Sequence, residues 1–565
     1  MNYPETTALF GHADGHRQPR PATTQTCGEA LVRLLEDYGV ELVFGIPGVH
    51  TVELYRGLAA STLRHVTPRH EQGAGFMADG YARVTGKPGV CFIITGPGMT
   101  NIATAMAQAY ADSIPMLVVS SVNATRQLGS GAGRLHELPS QHGVFAGLTA
   151  FSHTLLHADE LPQVLARAFA VFASERPRPV HIEIPLDVIV APARGMTSGT
   201  AVLPAKSGGA PAALDEAATL LAGARRPIIL AGGGAIEAAP ELRALAERLQ
   251  APVALTINAK GLLPRGHALS IGSTQSLPAT RAMVCEADVV LAVGTRMFIP
   301  FTAWGTDDKL KIIKVDIDAA EHDRWAVPVT PLTGDAAAIL RRLDAHLAHR
   351  APMDKARVAA SRALNEHIAD DFAALGVMRD YLQAIRDVLP DDGVLVDELT
   401  QVGYAARVAY EARGPRTYIS SGYQGTLGWG LATALGAKHA LGPTPVVSLC
   451  GDGGFMFNVQ ELSTAVRHRI PLVVVLFNDG AYGNVRNMQR HDHGNRVIAT
   501  DLANPDFMRL AASFGIGGYR ASDPGGLRVA LERALAQDEP ALIEVPCGTL
   551  PDPWRFIDMP KVRGV

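Results

Sequence analysis

The sequence predicts an α/β protein built of three doubly wound, parallel-sheet domains. Short apolar runs with little polar alternation recur along the chain, as is typical of parallel strands covered on both faces. Stretches rich in Ala and Leu lie between these runs at helical spacing, which is the pattern of βαβ units. The length of 565 residues allows three or four domains at roughly 100–200 residues each. The predicted strands include residues 90–95, 116–120, 227–231, 289–293, 312–317, 446–449 and 472–477.

Two linkers divide the chain. Residues 191–213 are small, rich in Pro and Gly and aperiodic, and residues 350–360 are polar and follow a helical run. Such segments mark domain boundaries. The N-terminal segment is polar and has no apolar stretch, which predicts a disordered tail and not a secretory signal. The predicted organisation is a tail over residues 1–23 and domains over residues 24–190, 210–348 and 360–565.

The first and third domains contain an internal repeat. Residues 90–120 and 446–476 both read as a strand, a G-x-G turn, a helix, an Ile-Pro pair and a second strand. We therefore expect these two domains to share one architecture. Chance similarity between two βαβ units is the alternative.

Composition excludes several classes of function. The net charge of -4 argues against a broad basic surface, so nucleic acid is not an expected partner. The five cysteines include no CxxC pair, which excludes a zinc site and a disulfide framework and fits a reducing compartment. No apolar run approaches the ~20 residues of a membrane span. We expect a cytoplasmic enzyme with a small-molecule substrate.

One turn predicts a phosphate site. Gly451, Asp452, Gly453 and Gly454 follow a buried strand and open a helix. Free backbone N–H groups and the positive end of the helix dipole suit a phosphate there, and glycine lets it approach the backbone. The Asp452 carboxylate would repel a phosphate unless a divalent cation lies between them. Mg²⁺ fits, because it binds one or two carboxylates together with phosphate oxygens.

A second carboxylate follows the next predicted strand. Asp479 lies in the segment Asn478-Asp479-Gly480-Ala481-Tyr482-Gly483. Adjacent parallel strands end at the same edge of a sheet, which is where open α/β sheets bind ligands. We therefore expect Asp479 to reach the metal that Asp452 holds. Two unrelated turns are the alternative.

These motifs resemble those of thiamine-diphosphate-dependent enzymes, whose signature is G-D-G followed after about 25 residues by N-[N/D]. RHEQGAGFMADGYARVTGKPGV (69–90), TGPGMTN (95–101) and GTLGWGLATALGAK (425–438) are similar to the acetolactate synthase branch, which includes 2-oxo acid decarboxylases and carboligases. The resemblance covers residues 24–555. It implies a pyrimidine-binding domain, a central Rossmann-like domain and a diphosphate-binding domain with a C-terminal lid. It also implies active sites shared between subunits of a homodimer or homotetramer.

The resemblance assigns the cofactor contacts residue by residue. Asp452, Asp479 and the backbone carbonyl of Ala481 match the Mg²⁺ ligands. Gly425 matches a backbone contact of the aminopyrimidine, and Leu427 matches the apolar residue beneath the bent cofactor. The remaining cofactor-binding positions are Gly403, Gly451, Gly453, Gly454 and Tyr482. The family's V-G-Q-H loop becomes Val402-Gly403-Tyr404-Ala405 here, so its Gln and His side chains are absent.

Glu71 matches the activating glutamate of the family. In the family this carboxyl hydrogen-bonds to N1' of the aminopyrimidine and shifts the ring to its imino tautomer. The imino nitrogen then takes the proton from thiazolium C2, which forms the ylid. Addition to a 2-oxo acid and loss of CO₂ then give an enamine, with the thiazolium as electron sink. Protonation of the enamine yields an aldehyde, and addition to a second oxo acid yields a ligation product. The expected enzyme is therefore a lyase or a transferase.

The substrate region departs from acetolactate synthases. Ser121-Val122-Asn123-Ala124 replaces G-Q-V-P, residues 294–300 lack the second Arg of G-x-R-F-D-D-R, and Met488 stands where relatives have Trp. These differences favour decarboxylation over dedicated acetolactate synthesis, which remains the alternative, followed by a non-catalytic partner. His50, His136 and Glu137 are the further catalytic candidates, each with an ordinary loop residue as its alternative.

Two segments bear on the substrate side chain. GRLHELP (133–139) and GIPGVH (45–50) are similar to those of decarboxylases of 5-guanidino-2-oxopentanoate. A guanidinium requires a carboxylate with fork geometry, which Glu137, Glu398 or Asp492 could supply.

The central domain leaves FAD open. Gly232-Gly233-Gly234 matches glycines that relatives with and without FAD share. Ser273-Thr274-Gln275 replaces the G-M-H on the flavin side, so FAD is not expected.

Overall fold

A computed structural model of the chain describes residues 25–193, 196, 199–263, 266–274, 276–298, 302, 304–349, 356–554 and 561–564. The predicted tail lies outside these residues, as do parts of both predicted linkers and Gln275, Ile299 and Pro300. The described residues contain three sheets with flanking helices. Every pair of neighbouring strands is parallel, which confirms the predicted α/β class.

The first sheet has the strand order β2-β1-β3-β4-β6-β5. Its strands are β1 Leu42–Gly45, β2 Arg64–Val66, β3 Gly89–Ile93, β4 Met116–Val122, β5 Phe151–Thr154 and β6 Pro179–Pro185. The helices of this domain are α1 Cys27–Asp37, α2 Val52–Ala59, α3 Glu71–Thr85, α4 Pro97–Asp112, α5 Gln141–Ala146, α6 Leu161–Ser174 and α7 Leu186–Ile189. The central strands β3, β4 and β6 are buried along their whole length, as is expected of parallel strands covered on both faces.

The central sheet has the order β11-β10-β9-β7-β8. Its strands are β7 Pro227–Ala231, β8 Val253–Leu255, β9 Val289–Val293, β10 Lys311–Asp316 and β11 Thr330–Thr333. The helices are α8 Pro211–Gly223, α9 Ala239–Leu249, α10 Arg281–Glu286 and α11 Ala336–His346. Helix α12, Ala356–Ala373, begins inside the segment predicted as the second linker.

The third sheet has the order β13-β12-β14-β15-β17-β16. Its strands are β12 Val394–Asp397, β13 Tyr418–Ser420, β14 Val446–Gly451, β15 Val473–Asn478, β16 Gly517–Arg520 and β17 Ala541–Pro546. The helices are α13 Val377–Val388, α14 Gln401–Ala409, α15 Trp429–Leu441, α16 Asp452–Phe455, α17 Leu462–Arg467, α18 Gly483–His491, α19 Phe507–Phe514 and α20 Pro524–Ala536. Numbered within its own domain, this order equals that of the first sheet, so the sheet topology bears out the sequence repeat.

The first and third domains pack through α3 and α15, where glycines replace side chains. A Cβ added to Gly80 would lie 2.0 Å from the Thr433 carbonyl oxygen, and one added to Gly436 would lie 1.9 Å from that of Met77. Both distances are far inside van der Waals contact, so only glycine permits this crossing. Apolar side chains of both domains join in one buried cluster around it.

A buried ion-pair network borders the same crossing. Arg83 at the end of α3 donates to Asp79 (2.6 Å) and to Asp112 at the end of α4 (2.7 Å), and Trp429 Nε1 donates to Asp79 (3.1 Å). The Arg83 Nη1 also donates to the carbonyl oxygen of Ser420 in β13 (3.2 Å). With these partners the buried charges are satisfied, and they fix α3 and α4 against the third domain.

Among the described residues, no helix is long and apolar enough to cross a bilayer.

The α3–α15 crossing makes a stability prediction. Gly436→Ala places a methyl group against the backbone of α3, so we expect a loss of about 1–3 kcal/mol in the free energy of unfolding. Gly223→Ala, at the end of α8, is the matched control, because its Cβ would meet nothing within 4 Å. Chemical denaturation measures both variants. A Gly436→Ala protein as stable as the Gly223→Ala protein would contradict the tight crossing.

Candidate active site

The carboxyl edge of the third sheet brings the two predicted metal carboxylates together. Strand β14 ends at Gly451, and Asp452 opens α16. The neighbouring strand β15 ends at Asn478, directly before Asp479, and the two strands pair with Gly451 opposite Phe477. The side chain of Asp452 is buried. The parallel pairing therefore places Asp452 and Asp479 at one edge, as the sequence predicts.

The electrostatics of this edge favour a cation. Burial, and then the negative charge of Asp452, raise the pKa of Asp479 to about 6. Asn504 Nδ2 donates to Asp452 Oδ2 (2.6 Å) and to Asn478 Oδ1 (3.1 Å). A divalent ion between the buried carboxylate of Asp452 and the partly buried carboxylate of Asp479 would relieve their mutual repulsion. Sequence reasoning missed Asn504, because nothing but the fold relates it to the G-D-G-G turn.

The donor set fits Mg²⁺ bridged to a diphosphate. Within the described ranges, no cluster of three or more His, Cys, Asp and Glu side chains could hold a metal. An ion here therefore has two carboxylates and must complete its shell with backbone, phosphate or water oxygens, as Mg²⁺ does. Ala481, the predicted backbone ligand, is buried and donates its N–H to Asp479 Oδ1 (3.2 Å). These residues could hold the ion and its diphosphate.

Tyr482 packs against the glycine turn. A Cβ added to Gly453 would lie 2.7 Å from the Tyr482 ring. The Tyr482 N–H donates to the Thr500 carbonyl oxygen (2.8 Å), and the Leu502 N–H donates to the Gly480 carbonyl oxygen (2.8 Å). The segment after β15 is therefore held from residues 500–502, and it closes one side of the turn.

Residues 402–405, which match the family's V-G-Q-H loop, lie in the first turns of α14. Thr400 caps this helix, accepting the Gly403 N–H on its hydroxyl oxygen (2.7 Å). A Cβ on Gly403 would lie 2.2 Å from the Glu398 carbonyl oxygen. The glycine is thus required for packing at this place. Tyr404, which replaces a family Gln, places its ring 4.9 Å from that of Trp554.

The turn formed by residues 425–428 carries Gly425 and Leu427. Gly425 has a φ of 58°, in the left-handed region that favours glycine. Helix α4 of the first domain holds the turn, since Gln108 Oε1 accepts from the Thr426 hydroxyl (3.0 Å), and Asp112 accepts from the Gly422 N–H (2.8 Å). Sequence reasoning missed Gln108 and Asp112 as supports of this turn.

Glu398 is buried beneath both glycine turns. Its carboxylate accepts from the Gly428 N–H, and a Cβ on Gly454 would lie 2.6 Å from its carboxyl group. Burial raises the pKa of Glu398 to about 7. This placement corrects the expectation that Glu398 is available to a substrate guanidinium. Glu398 is only 1% exposed, so its side chain lies beneath the two glycine turns and does not extend into the site.

Glu71 is the first residue of α3. Its carboxylate accepts from Asn101 Nδ2 (2.9 Å), and a Cβ on Gly98 would come within 3.3 Å of Glu71 Oε1. The start of this helix is held by Glu461 of the third domain, which accepts the N–H groups of Arg69 (3.1 Å) and His70 (3.1 Å). A residue of the third domain thus fixes the backbone directly before Glu71.

His50 and His136 lie close together beside residues 95–98, where the chain enters α4. Their rings lie 5.2 Å apart in a T-shaped contact, and the Nδ1 atoms of both are buried without a hydrogen-bond partner. Burial, and then the nearby His136, lower the pKa of His50, and burial lowers that of His136. His136 has a φ of 61°, a conformation that costs energy outside glycine. A Cβ on Gly96 would lie 2.4 Å from the His136 carbonyl oxygen.

Glu137 forms its hydrogen bonds within its own loop. Its carboxylate accepts from the Gly131 N–H (2.8 Å) and the Arg134 N–H (2.9 Å), and these backbone bonds lower its pKa. Both carboxylate oxygens of Glu137 therefore already accept a backbone hydrogen bond. Of the predicted catalytic residues, the structure gathers Glu71, His50 and His136 around residues 95–98, and it gives Glu137 a local structural contact.

Gly232 and Gly234 of the central domain are required by packing. A Cβ on Gly232 would lie 2.3 Å from the Gly294 carbonyl oxygen, and one on Gly234 would lie 2.8 Å from Gly294 Cα. Close approach of the ends of β7 and β9 accounts for them without a nucleotide.

Comparison with known proteins decides the family. Models of the thiamine pyrophosphate enzymes match their N-terminal TPP binding domain to residues 25–144, their central domain to residues 214–343 and their C-terminal TPP binding domain to residues 400–545. A protein of Pseudomonas aeruginosa named probable 2-ketoarginine decarboxylase AruI is 45% identical over 539 residues, which cover 93% of this chain and 95% of that protein. The chain belongs to the thiamine pyrophosphate enzymes.

Other relatives of this thiamine pyrophosphate enzyme are named acetolactate synthases. The isozyme 1 large subunit of Escherichia coli is 33% identical over 534 residues, covering 92% of this chain and 93% of that protein. A probable acetolactate synthase large subunit of Methanocaldococcus jannaschii is 33% identical over 547 residues, covering 92% and 91%.

The raised pKa of Glu398 predicts a pH-dependent stability of the enzyme. The folded protein holds this proton more tightly than the unfolded chain, so the free energy of unfolding falls as the pH rises from about 4.5 to about 7. Glu398→Gln cannot lose a proton there. Its stability relative to the wild type should therefore rise between pH 5 and pH 8, on the order of 2 kcal/mol.

Denaturation curves at pH 5, 6, 7 and 8 check this prediction. Glu539→Gln, at an exposed position, is the control and should follow the wild type. A Glu398→Gln protein whose stability parallels that of the wild type at every pH would show that Glu398 is ionised in the folded enzyme.

Proposed function

We propose that the enzyme catalyses the thiamine-diphosphate- and Mg²⁺-dependent decarboxylation of a 2-oxo acid, with 5-guanidino-2-oxopentanoate (2-ketoarginine) as the first candidate. The observation that carries the reaction class is the carboxylate pair of Asp452 and Asp479 at one sheet edge, together with Glu71. The candidate substrate is taken from the name of the 45% identical relative. Acetolactate synthesis is the second candidate, favoured by relatives at 33% identity.

The residues divide the work of holding the cofactor. Asp452, Asp479 and the Ala481 carbonyl would hold Mg²⁺, and the glycine turn after Asp452 would receive the diphosphate. When bound, thiamine diphosphate supplies the nucleophile and the electron sink for loss of CO₂. Glu71 would hold a proton at the aminopyrimidine, in a setting made rigid by its hydrogen bond with Asn101 and by the bonds from Arg69 and His70 to Glu461.

His50 and His136 are proposed to supply the proton that completes an aldehyde product. Their lowered pKa values favour neutral imidazoles, so each would act as a relay that releases its N–H proton while its other ring nitrogen accepts a proton from water. The buried, unpartnered Nδ1 atoms leave hydrogen-bonding capacity for a ligand.

We propose that the active site forms between two copies of the chain. Glu71 contacts Asn101 on α4, whereas Thr426 of the turn that carries Gly425 and Leu427 contacts Gln108 on the same helix. Seven residues of helix separate these contacts, or roughly 10 Å at 1.5 Å per residue. One aminopyrimidine ring is too small to span that distance, so Glu71 of one copy and the turn of another are proposed to share it.

A panel of 2-oxo acids tests the proposed function. With thiamine diphosphate and Mg²⁺, we expect CO₂ release from 5-guanidino-2-oxopentanoate with a kcat/KM at least tenfold above that for pyruvate or 2-oxobutanoate. The panel should include 2-oxooctanoate, whose uncharged side chain has a similar length, as the matched control. Equal or faster turnover of pyruvate, with an acyloin-type product, would support acetolactate synthesis instead. An absence of CO₂ from every acid would refute decarboxylation.

A further inference from the structure

Arg486 brings a positive charge to the predicted metal site. It lies in the first turns of α18, which begins at Gly483. Its Nη2 lies 3.5 Å from Asp479 Oδ2, and its Nη1 lies 3.3 Å from Asp501 Oδ1. The Arg486 side chain is 13% exposed, whereas that of Asp501 is 83% exposed. The buried part of this contact is therefore the one with Asp479.

The guanidinium has unused hydrogen-bonding capacity. Arg486 Nε is buried and has no hydrogen-bond partner in the described part of the chain. A buried donor without a partner is costly, and the planar fork of arginine matches the oxygens of a phosphate or a carboxylate. Arg486 could therefore receive an anionic oxygen without giving up an existing hydrogen bond of Nε.

The face of α18 that carries Arg486 points to the glycine turn. Arg486 follows Tyr482 by one helical turn, and the Tyr482 ring packs against Gly453. Val485 and Met488, on other faces of the helix, are exposed. Arg486 therefore lies one helical turn from the residue that packs on the predicted diphosphate turn.

We propose that Arg486 binds a diphosphate oxygen of the cofactor and, without cofactor, takes the place of the divalent cation at Asp479. This proposal rests on the proposed function. With metal and diphosphate bound, Asp479 turns to the metal, and the guanidinium gains the anionic oxygen. Arg486 then opposes binding of the bare metal ion and supports binding of the cofactor. The carboxylate of a 2-oxo acid is the other source of the same anionic chemistry.

Two binding measurements on the full-length protein separate these roles. Mn²⁺ binding is measured by electron paramagnetic resonance without cofactor, and thiamine diphosphate binding by calorimetry at saturating Mg²⁺. In Arg486→Met, which keeps the aliphatic stem, we expect Mn²⁺ to bind at least threefold more tightly and thiamine diphosphate at least tenfold more weakly. Arg486→Lys keeps the charge and should restore the Mn²⁺ affinity of the wild type. Arg509→Met, at an arginine 90% exposed, should change neither value.

The proposal requires that Arg486→Met change the two affinities in opposite directions, with Mn²⁺ bound more tightly and thiamine diphosphate more weakly. Weaker binding of both Mn²⁺ and thiamine diphosphate in Arg486→Met would indicate a structural role and overturn it. Unchanged thiamine diphosphate affinity with a raised KM for the 2-oxo acid would assign Arg486 to the substrate carboxylate and also overturn it. A wild-type protein that binds no thiamine diphosphate would defeat the proposed function itself, whatever the variants do.

Discussion

The crossing of α3 and α15 is the contact on which the site geometry depends. Gly80 and Gly436 bring the backbones of the first and third domains so close that neither helix can shift without a clash. The buried Arg83 network and Glu461 then fix the ends of α3 and α4. This rigidity sets where Glu71 stands relative to the turn of residues 425–428. The same rigidity underlies the proposal that Glu71 and this turn belong to different sites.

The carboxyl edge of the third sheet supplies the second constraint. Parallel pairing of β14 and β15 brings Asp452 and Asp479 together, and their mutual repulsion makes the edge favourable for a divalent ion. Glu398 lies beneath, where its buried carboxyl joins the two glycine turns. The proposed metal site and the proposed diphosphate and aminopyrimidine turns therefore depend on one small set of buried polar groups.

The sequence predicted the elements that depend on local pattern. Strands β7 and β9 have the predicted bounds, and β14 and β15 differ from them by at most two residues, because unbroken apolar runs define buried parallel strands. What it could not predict depends on distant chain segments. Glu398 is buried by Gly428 and Gly454, which only the fold brings to it. Asn504 reaches Asp452 across 52 residues. The left-handed backbone of His136 accompanies its close approach to Gly96, 40 residues away in the sequence.

Complementation between inactive chains tests the proposed sharing most directly. Glu71→Gln and Asp452→Ala are each expected to abolish CO₂ release. Mixed and reassembled, they should regain up to about a quarter of wild-type activity, because half of the dimers are mixed and one of the two sites in each carries both native residues. Two Glu71→Gln preparations with different tags, mixed in the same way, are the control and should stay inactive. No recovery from a mixture in which mixed dimers are isolated would contradict the shared site and place Glu71 and Asp452 in the site of a single chain.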